Sequence, residues 1–153
     1  MFEIIIGNKN QLFDIVRLRL QIHKESSRYD PDIVISESNQ KEIEEQTRQE
    51  LEDPRLIFLL AKENQEIIGL AILSISPKTD KTAFLGELFV EEKRRGRGIG
   101  TLLLNKAIET AQKNNLKFFR VTVARNNKQA LKFYDKKKFK EVERNYLLFE
   151  KEI

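Results

Sequence analysis

The 153-residue chain has no cysteine, no tryptophan, one histidine and one methionine. Without cysteine there is no disulfide framework, no thiolate nucleophile and no cysteine zinc site. A single histidine, His23, excludes most histidine-built metal centres and serine–histidine triads. Long apolar runs are missing too. Leu56-Ile57-Phe58-Leu59-Leu60-Ala61 is among the longest, far short of the roughly 18 residues a spanning helix needs, so no transmembrane segment is expected. The first residues carry Glu3 where a signal peptide needs a basic head, and their apolar stretch ends at Gly7, which predicts a cytoplasmic protein. Three prolines and six glycines leave no long linker or low-complexity segment.

What is present is the composition of one globular domain, expected over residues 1–153: 40% hydrophobic and 34% charged residues. The net charge of +4 is unevenly spread. Residues 1–80 hold ten Lys and Arg against fifteen Asp and Glu, and residues 81–153 hold eighteen against nine. A basic half suits phosphate groups and an acidic half suits a cation.

Periodicity predicts the elements. Residues 1–6 read as a strand, and Leu12, Ile15, Val16 and Leu20 mark a helix over 10–25. A second helix over 37–52 is almost wholly polar, with Ile43 and Leu51 its large apolar residues, so it is expected to lie on the surface or to move. Residues 56–62 and 66–76 form a hairpin, and a turn at 77–80 leads to a strand over 83–90. Leu103, Leu104, Ala107, Ile108 and Ala111 share one face of a helix over 98–113. A strand over 118–124, a helix over 127–136 and strands over 139–142 and 146–149 complete the order β-α-α-β-β-β-α-β-α-β-β. The fold class is α/β, with a mixed sheet of the α+β kind.

The segment with most chemistry in it is Glu87-Leu88-Phe89-Val90-Glu91-Glu92-Lys93-Arg94-Arg95-Gly96-Arg97-Gly98-Ile99-Gly100-Thr101, a strand leading through a basic glycine-rich turn into a helix. Glycines there let backbone N–H groups face an anion at a helix N-terminus, and Arg95 and Arg97 add charge-assisted donors. A Walker loop is excluded because no lysine precedes Thr101, and the spacing Gly96-x-Gly98-x-Gly100 departs from the dinucleotide fingerprint. Glu87 sits in an apolar run where a buried carboxylate is costly without a purpose, which makes it a candidate general base.

Arg95-Gly96-Arg97-Gly98-Ile99-Gly100, five residues beyond Val90, resembles the acyl-CoA signature of the GNAT superfamily of N-acetyltransferases. About thirty residues on, Asn127-Lys128-Gln129-Ala130-Leu131-Lys132-Phe133-Tyr134 is similar to that family's second motif. The resemblance implies a GNAT-like acyl-CoA N-acyltransferase fold and acetyl-CoA as cosubstrate, with no metal. It places the pyrophosphate on Arg95, Gly96, Arg97, Gly98, Ile99 and Gly100, and pantetheine along the backbone of Leu88, Phe89 and Val90. It makes Tyr134 the general acid and Asn127 a cofactor contact, with helix capping as a second role for Asn127. One departure is Lys138, where the family commonly has glycine: either Lys138 takes a positive φ or the turn is built differently.

The expected reaction is acetyl transfer to a primary amine by direct attack in a ternary complex, since no cysteine carries an acetyl group between half-reactions. The acidic first half favours a cationic acceptor such as a polyamine, a lysine side chain, an aminoglycoside or a peptide N-terminus. Acceptor pockets in this family draw on residues 20–55, the region of His23 and Asp30, and on the last hairpin; a homodimer is also compatible with the resemblance. Two other readings exist. A non-catalytic acyl-CoA sensor would keep the phosphate turn without a working Tyr134. A nucleic-acid-binding module would use residues 93–97 and 136–140, but no aromatic stacking surface flanks those lysines.

Overall fold

A computed structural model describes residues 1–33, 36–76, 81–142 and 151. They fall into two compact units, Met1–Thr122 and Val123–Ile153.

The first unit contains β1 (Phe2–Ile6), α1 (Leu12–Ser26), α2 (Glu37–Glu50), β2 (Leu56–Glu63), β3 (Glu66–Ser76), β4 (Thr82–Val90), α3 (Ile99–Lys113) and β5 (Phe118–Val121). The sheet keeps chain order, β1-β2-β3-β4-β5. Its first three pairings are antiparallel and β4 pairs with β5 in parallel. A parallel pair needs a crossover, and α3 provides it. Strand alternation sorts the core by face. Phe58, Leu60, Leu70, Ile72 and Phe89 pack with Ile15 and Leu18 of α1. On the other face Leu103 of α3 approaches Gly69 so closely that an added Cβ there would lie 3.1 Å from its Cδ1. Leu103 and Leu104 are fully buried, and each such side chain contributes about 1.5–3 kcal/mol.

Helix α1 begins through a short 3-10 turn, Lys9–Gln11, in which Asn8 and Gln11 cap each other, so the α-helix starts two residues later than the periodicity predicts. Helix α2 has the surface position its composition predicts, with Ser36 as its N-cap. Exposed pairs such as Arg48 with Glu44 at 3.0 Å run along its outer face, each worth about 0.2–0.5 kcal/mol. Its inner face buries Ile43 against Leu12 and Val16 of α1, and Thr47 with no exposure at all.

Two features position the site. A bulge in β4 leaves Gly86 without a partner, because Ile72 pairs with Glu87 and Leu73 with Leu85. The β4–β5 ladder ends at Leu85 and Val121, so among the described residues 86–90 form a strand with one unpaired edge.

The second unit contains α4 (Lys128–Lys136). The strand expected over 118–124 stops at Val121, where the chain leaves the sheet and then turns, with Asn127 donating to the Ala124 carbonyl at 3.0 Å. The strand expected over 139–142 is absent. Helix α4 closes with Lys138 N–H on Asp135 O at 2.9 Å and Phe139 N–H on Tyr134 O at 3.1 Å. This is the Schellman arrangement, and it spends the first donor of the expected strand. Lys138 takes φ 66°, the first of the two alternatives its sequence position allows. The expected strand over 146–149 and the turn at 77–80 lie outside the described residues. No helix among the described residues is long and apolar enough to cross a membrane.

Candidate functional site

The site is built where β4 runs into α3. The Glu91 N–H donates to Ile68 O of β3 at 3.0 Å, which fixes the phase of the ladder. Alternation then directs the backbone groups of Glu87 and Phe89 to β3 and those of Leu88 and Val90 to the unpaired edge. Phe89, read from sequence as a third backbone partner for a ligand, instead gives its backbone to β3 and its ring to the core.

After Val90 a 3-10 turn over Glu92–Arg94 brings the chain to Gly96 at φ 77° and Gly98 at φ 81°, the N-cap of α3. Both angles are left-handed, where a side chain is strained. A Cβ on either glycine would meet nothing within 4 Å, so the turn presents bare backbone. The first helical bond runs from Leu102 N–H to Gly98 O at 3.0 Å, leaving the N–H groups of Ile99, Gly100 and Thr101 without helical carbonyls. No side chain caps the helix and no acid occupies its first turn. A helix N-terminus of this kind, with its dipole, favours an anion. The residues therefore fit a pyrophosphate group.

The arginines are placed differently from the sequence expectation. Arg95 donates from Nε to Val90 O at 2.8 Å and from Nη2 to Glu25 at 2.6 Å, with its guanidinium carbon 5.3 Å from the Phe89 ring centroid. Arg97 grips Glu63 at 2.5 and 3.2 Å, and Arg94 reaches the same carboxylate at 2.7 Å. The hydrogen bond from Arg97, together with both positive charges, holds the Glu63 carboxyl below its usual range. Backbone amides, rather than these engaged side chains, make the turn attractive to an anion.

Glu87 is four-fifths buried and paired with Arg19 of α1, a residue the sequence reading did not single out. Arg19 Nη2 and Nε bond Glu87 Oε1 at 2.8 and 3.1 Å, and Nη1 bonds Thr47 Oγ1 at 2.8 Å and Glu50 at 2.7 Å. Burial pulls the Arg19 guanidinium down, but the hydrogen bond and charge of Glu87, with those of Glu50, outweigh it and push it above its ordinary value. The signal was in the sequence: Arg19 lies seven residues after Leu12 and three after Val16, on the apolar stripe of α1.

In the second unit, Asn127 Oδ1 accepts from Ala130 N–H at 3.1 Å, which is the capping role. Tyr134 is buried between Phe133 and Phe139, ring centroids 5.1 and 5.3 Å away. Burial pushes its phenol up to about 12, so it stays protonated at physiological pH. His23 is half-buried near the end of α1, and exposed Asp30 accepts from Asp32 N–H at 3.0 Å.

Comparison with known proteins gives one consistent picture. The family model described as acetyltransferase (GNAT) family matches residues 19–139. L-2,4-diaminobutyric acid acetyltransferase of Shouchella clausii is 32% identical over 78 residues, 51% of this chain and 44% of that protein. The chain therefore aligns with less than half the length of that relative. Among solved structures, the Bacillus halodurans protein BH1408 superposes with a TM-score of 0.82 at 20% identity, over 95% of this chain and 98% of that one. An aminoglycoside N-acetyltransferase, AAC(6')-Iy in complex with CoA, superposes with a TM-score of 0.77 at 19% identity, over 100% and 96%. These likenesses bear on the fold.

Proposed function

The chain belongs to the GNAT acetyltransferase family, and from that premise we propose that it is an N-acetyltransferase moving the acetyl group of acetyl-CoA to a primary amine by direct attack. The observation that carries this reading is the bare turn of Gly96 and Gly98, with three amides that have no partner among the described residues, at the end of a strand edge unpaired among the same residues.

Acetyl-CoA supplies an activated acyl group whose aminolysis is favourable, so the chain needs to position and polarise more than to activate. Backbone N–H groups of residues 96–101 hold the pyrophosphate. Leu88 and Val90 pair with pantetheine as an added strand would, and one of their N–H groups polarises the thioester oxygen. Glu87 accepts a proton from the amine, and Asn127 contacts the cofactor while capping α4. Tyr134 donates to the departing sulfur. With its phenol at about 12 against a thiol near ~8.5, complete transfer is uphill by about 5 kcal/mol, so Tyr134 acts by a hydrogen bond to the developing thiolate. The acceptor is a cationic amine, in keeping with the acidic first half of the chain.

Calorimetric titration with acetyl-CoA tests the reading. Micromolar binding is expected, abolished by Gly98→Asp, which places a carboxylate on the helix N-terminus. Tyr134→Phe is expected to keep that binding and slow thiol release by about 10²-fold. Absence of acetyl-CoA binding would overturn the reading at its first step. Retained binding with unchanged turnover in Tyr134→Phe would remove the assigned acid.

A further inference from the structure

Arg19 is a charged side chain set in an apolar stripe at 6% exposure. Replacing the whole cluster of Arg19, Glu87 and Glu50 by hydrophobic residues of similar volume would be about neutral for stability, whereas removing Arg19 alone strands two carboxylates, so the retained cluster is worth explaining. Its guanidinium divides its donors between two elements, Glu87 of β4 on one side and Glu50 and Thr47 of α2 on the other. Glu87 is the first residue after the Gly86 bulge, where β4 has lost β5.

The two carboxylate oxygens of Glu87 are held unequally. Oε1 accepts at 2.8 and 3.1 Å, whereas Oε2 receives one long bond of 3.3 Å from Nε. Among the described residues Oε2 therefore keeps lone pairs for an incoming donor. The side chain is one-fifth exposed, so the carboxylate is not sealed from solvent. Helix α2 has little apolar surface of its own to bind it, with Ile43 as its buried apolar residue.

We propose that Arg19 is the positioning residue for the acceptor amine: it fixes the Glu87 carboxylate with Oε2 turned to the attacking ammonium, and with the same guanidinium secures α2 beside it. The proposal rests on the N-acetyltransferase reading above. A proton passes from the ammonium to Glu87 Oε2, and the freed nitrogen pair forms the C–N bond to the acetyl carbonyl carbon. The C–S bond breaks with its electron pair on the coenzyme sulfur, and the second proton that the nitrogen sheds in becoming an amide ends on that sulfur, giving the free thiol. Arg19 neither gives nor takes a proton.

The test compares two nucleophiles on the intact protein. L-2,4-diaminobutyrate, spermidine and neamine bring a protonated amine that needs a base, while hydroxylamine is already neutral at pH 7 and does not. Thiol release from acetyl-CoA is followed for wild type, Arg19→Lys, Arg19→Met, Glu87→Gln and Glu50→Gln, with acetyl-CoA affinity measured by calorimetry. In Arg19→Met and Glu87→Gln the loss with the best protonated amine is expected to exceed the loss with hydroxylamine at least tenfold, at unchanged acetyl-CoA affinity, with Arg19→Lys intermediate. Glu50→Gln is expected to speed hydrogen exchange in α2 while leaving that ratio at the wild-type value. Equal losses with both nucleophiles would make Arg19 merely structural and overturn the proposal, as would a wild type that acetylates hydroxylamine and none of the protonated amines. If Arg19→Met does not fold, Arg19→Lys alone decides by the same ratio. A wild type that binds no acetyl-CoA defeats the transferase reading itself, and the positioning role falls with it.

Discussion

Helices α3 and α2 are about equally long, and they are held to the first unit by opposite means. Helix α3 buries Ile99, Leu103, Leu104, Ala107 and Ala111 along one stripe. Helix α2 buries one isoleucine and one threonine and is tied in by the guanidinium of Arg19. Apolar attachment is spread over many atoms and needs no partner of fixed geometry. Polar attachment concentrates in a few bonds, and a ligand that competes for one of them acts on the helix. The firm helix carries the turn proposed to bind an anion, and the polar one lies beside the carboxylate proposed to meet the amine.

The largest effect is expected from breaking the firm side. Leu104→Ala removes a fully buried side chain and should cost about 4 kcal/mol of global stability in a urea titration. Arg19→Met should cost about 3 kcal/mol, with the loss concentrated in α2: hydrogen exchange there should quicken while α3 stays protected. Equal acceleration in both helices would erase the contrast.

The second unit extends the comparison to a buried group that is polar and uncharged. Below pH 10 the Tyr134 phenol is protonated in folded and unfolded chains alike. Between 10 and its folded value of about 12 only the unfolded chain releases the proton, so stability is lost as pH rises through that window, by about 3 kcal/mol in total. Ultraviolet titration should show a late transition that is missing in Tyr134→Phe. The smallest effect is a gain. Lys138→Gly relieves the left-handed φ of 66° at the end of α4 and should raise stability by about 1 kcal/mol in thermal melts.

The same contrast explains how much could be read in advance. Helix α3 and the hairpin were legible because apolar spacing is a local signal. Gly96 and Gly98 were legible as a backbone-exposing turn because glycine spacing before a helix is local too. The pairing of Arg95 with Glu25 and Arg97 with Glu63 was not, since each joins residues far apart in the chain, and both arginines therefore read as ligands for a phosphate. Glu87 was marked by its apolar neighbours, but its partner on α1 came into view only once the helix was placed against β4. The end of β5 at Val121 depended on where the chain leaves the sheet, which β-propensity does not record.

The unpaired edge of β4 has another side. A strand with outward amides and carbonyls is a template for misassembly, since a second chain can add to it and aggregates can grow from the join. Natural sheets protect such edges with charge, and here the Arg95 guanidinium covers the Val90 carbonyl. The arginine that sequence assigned to a ligand thus places a charge on this edge, the kind of device that disfavours the addition of another copy of the protein.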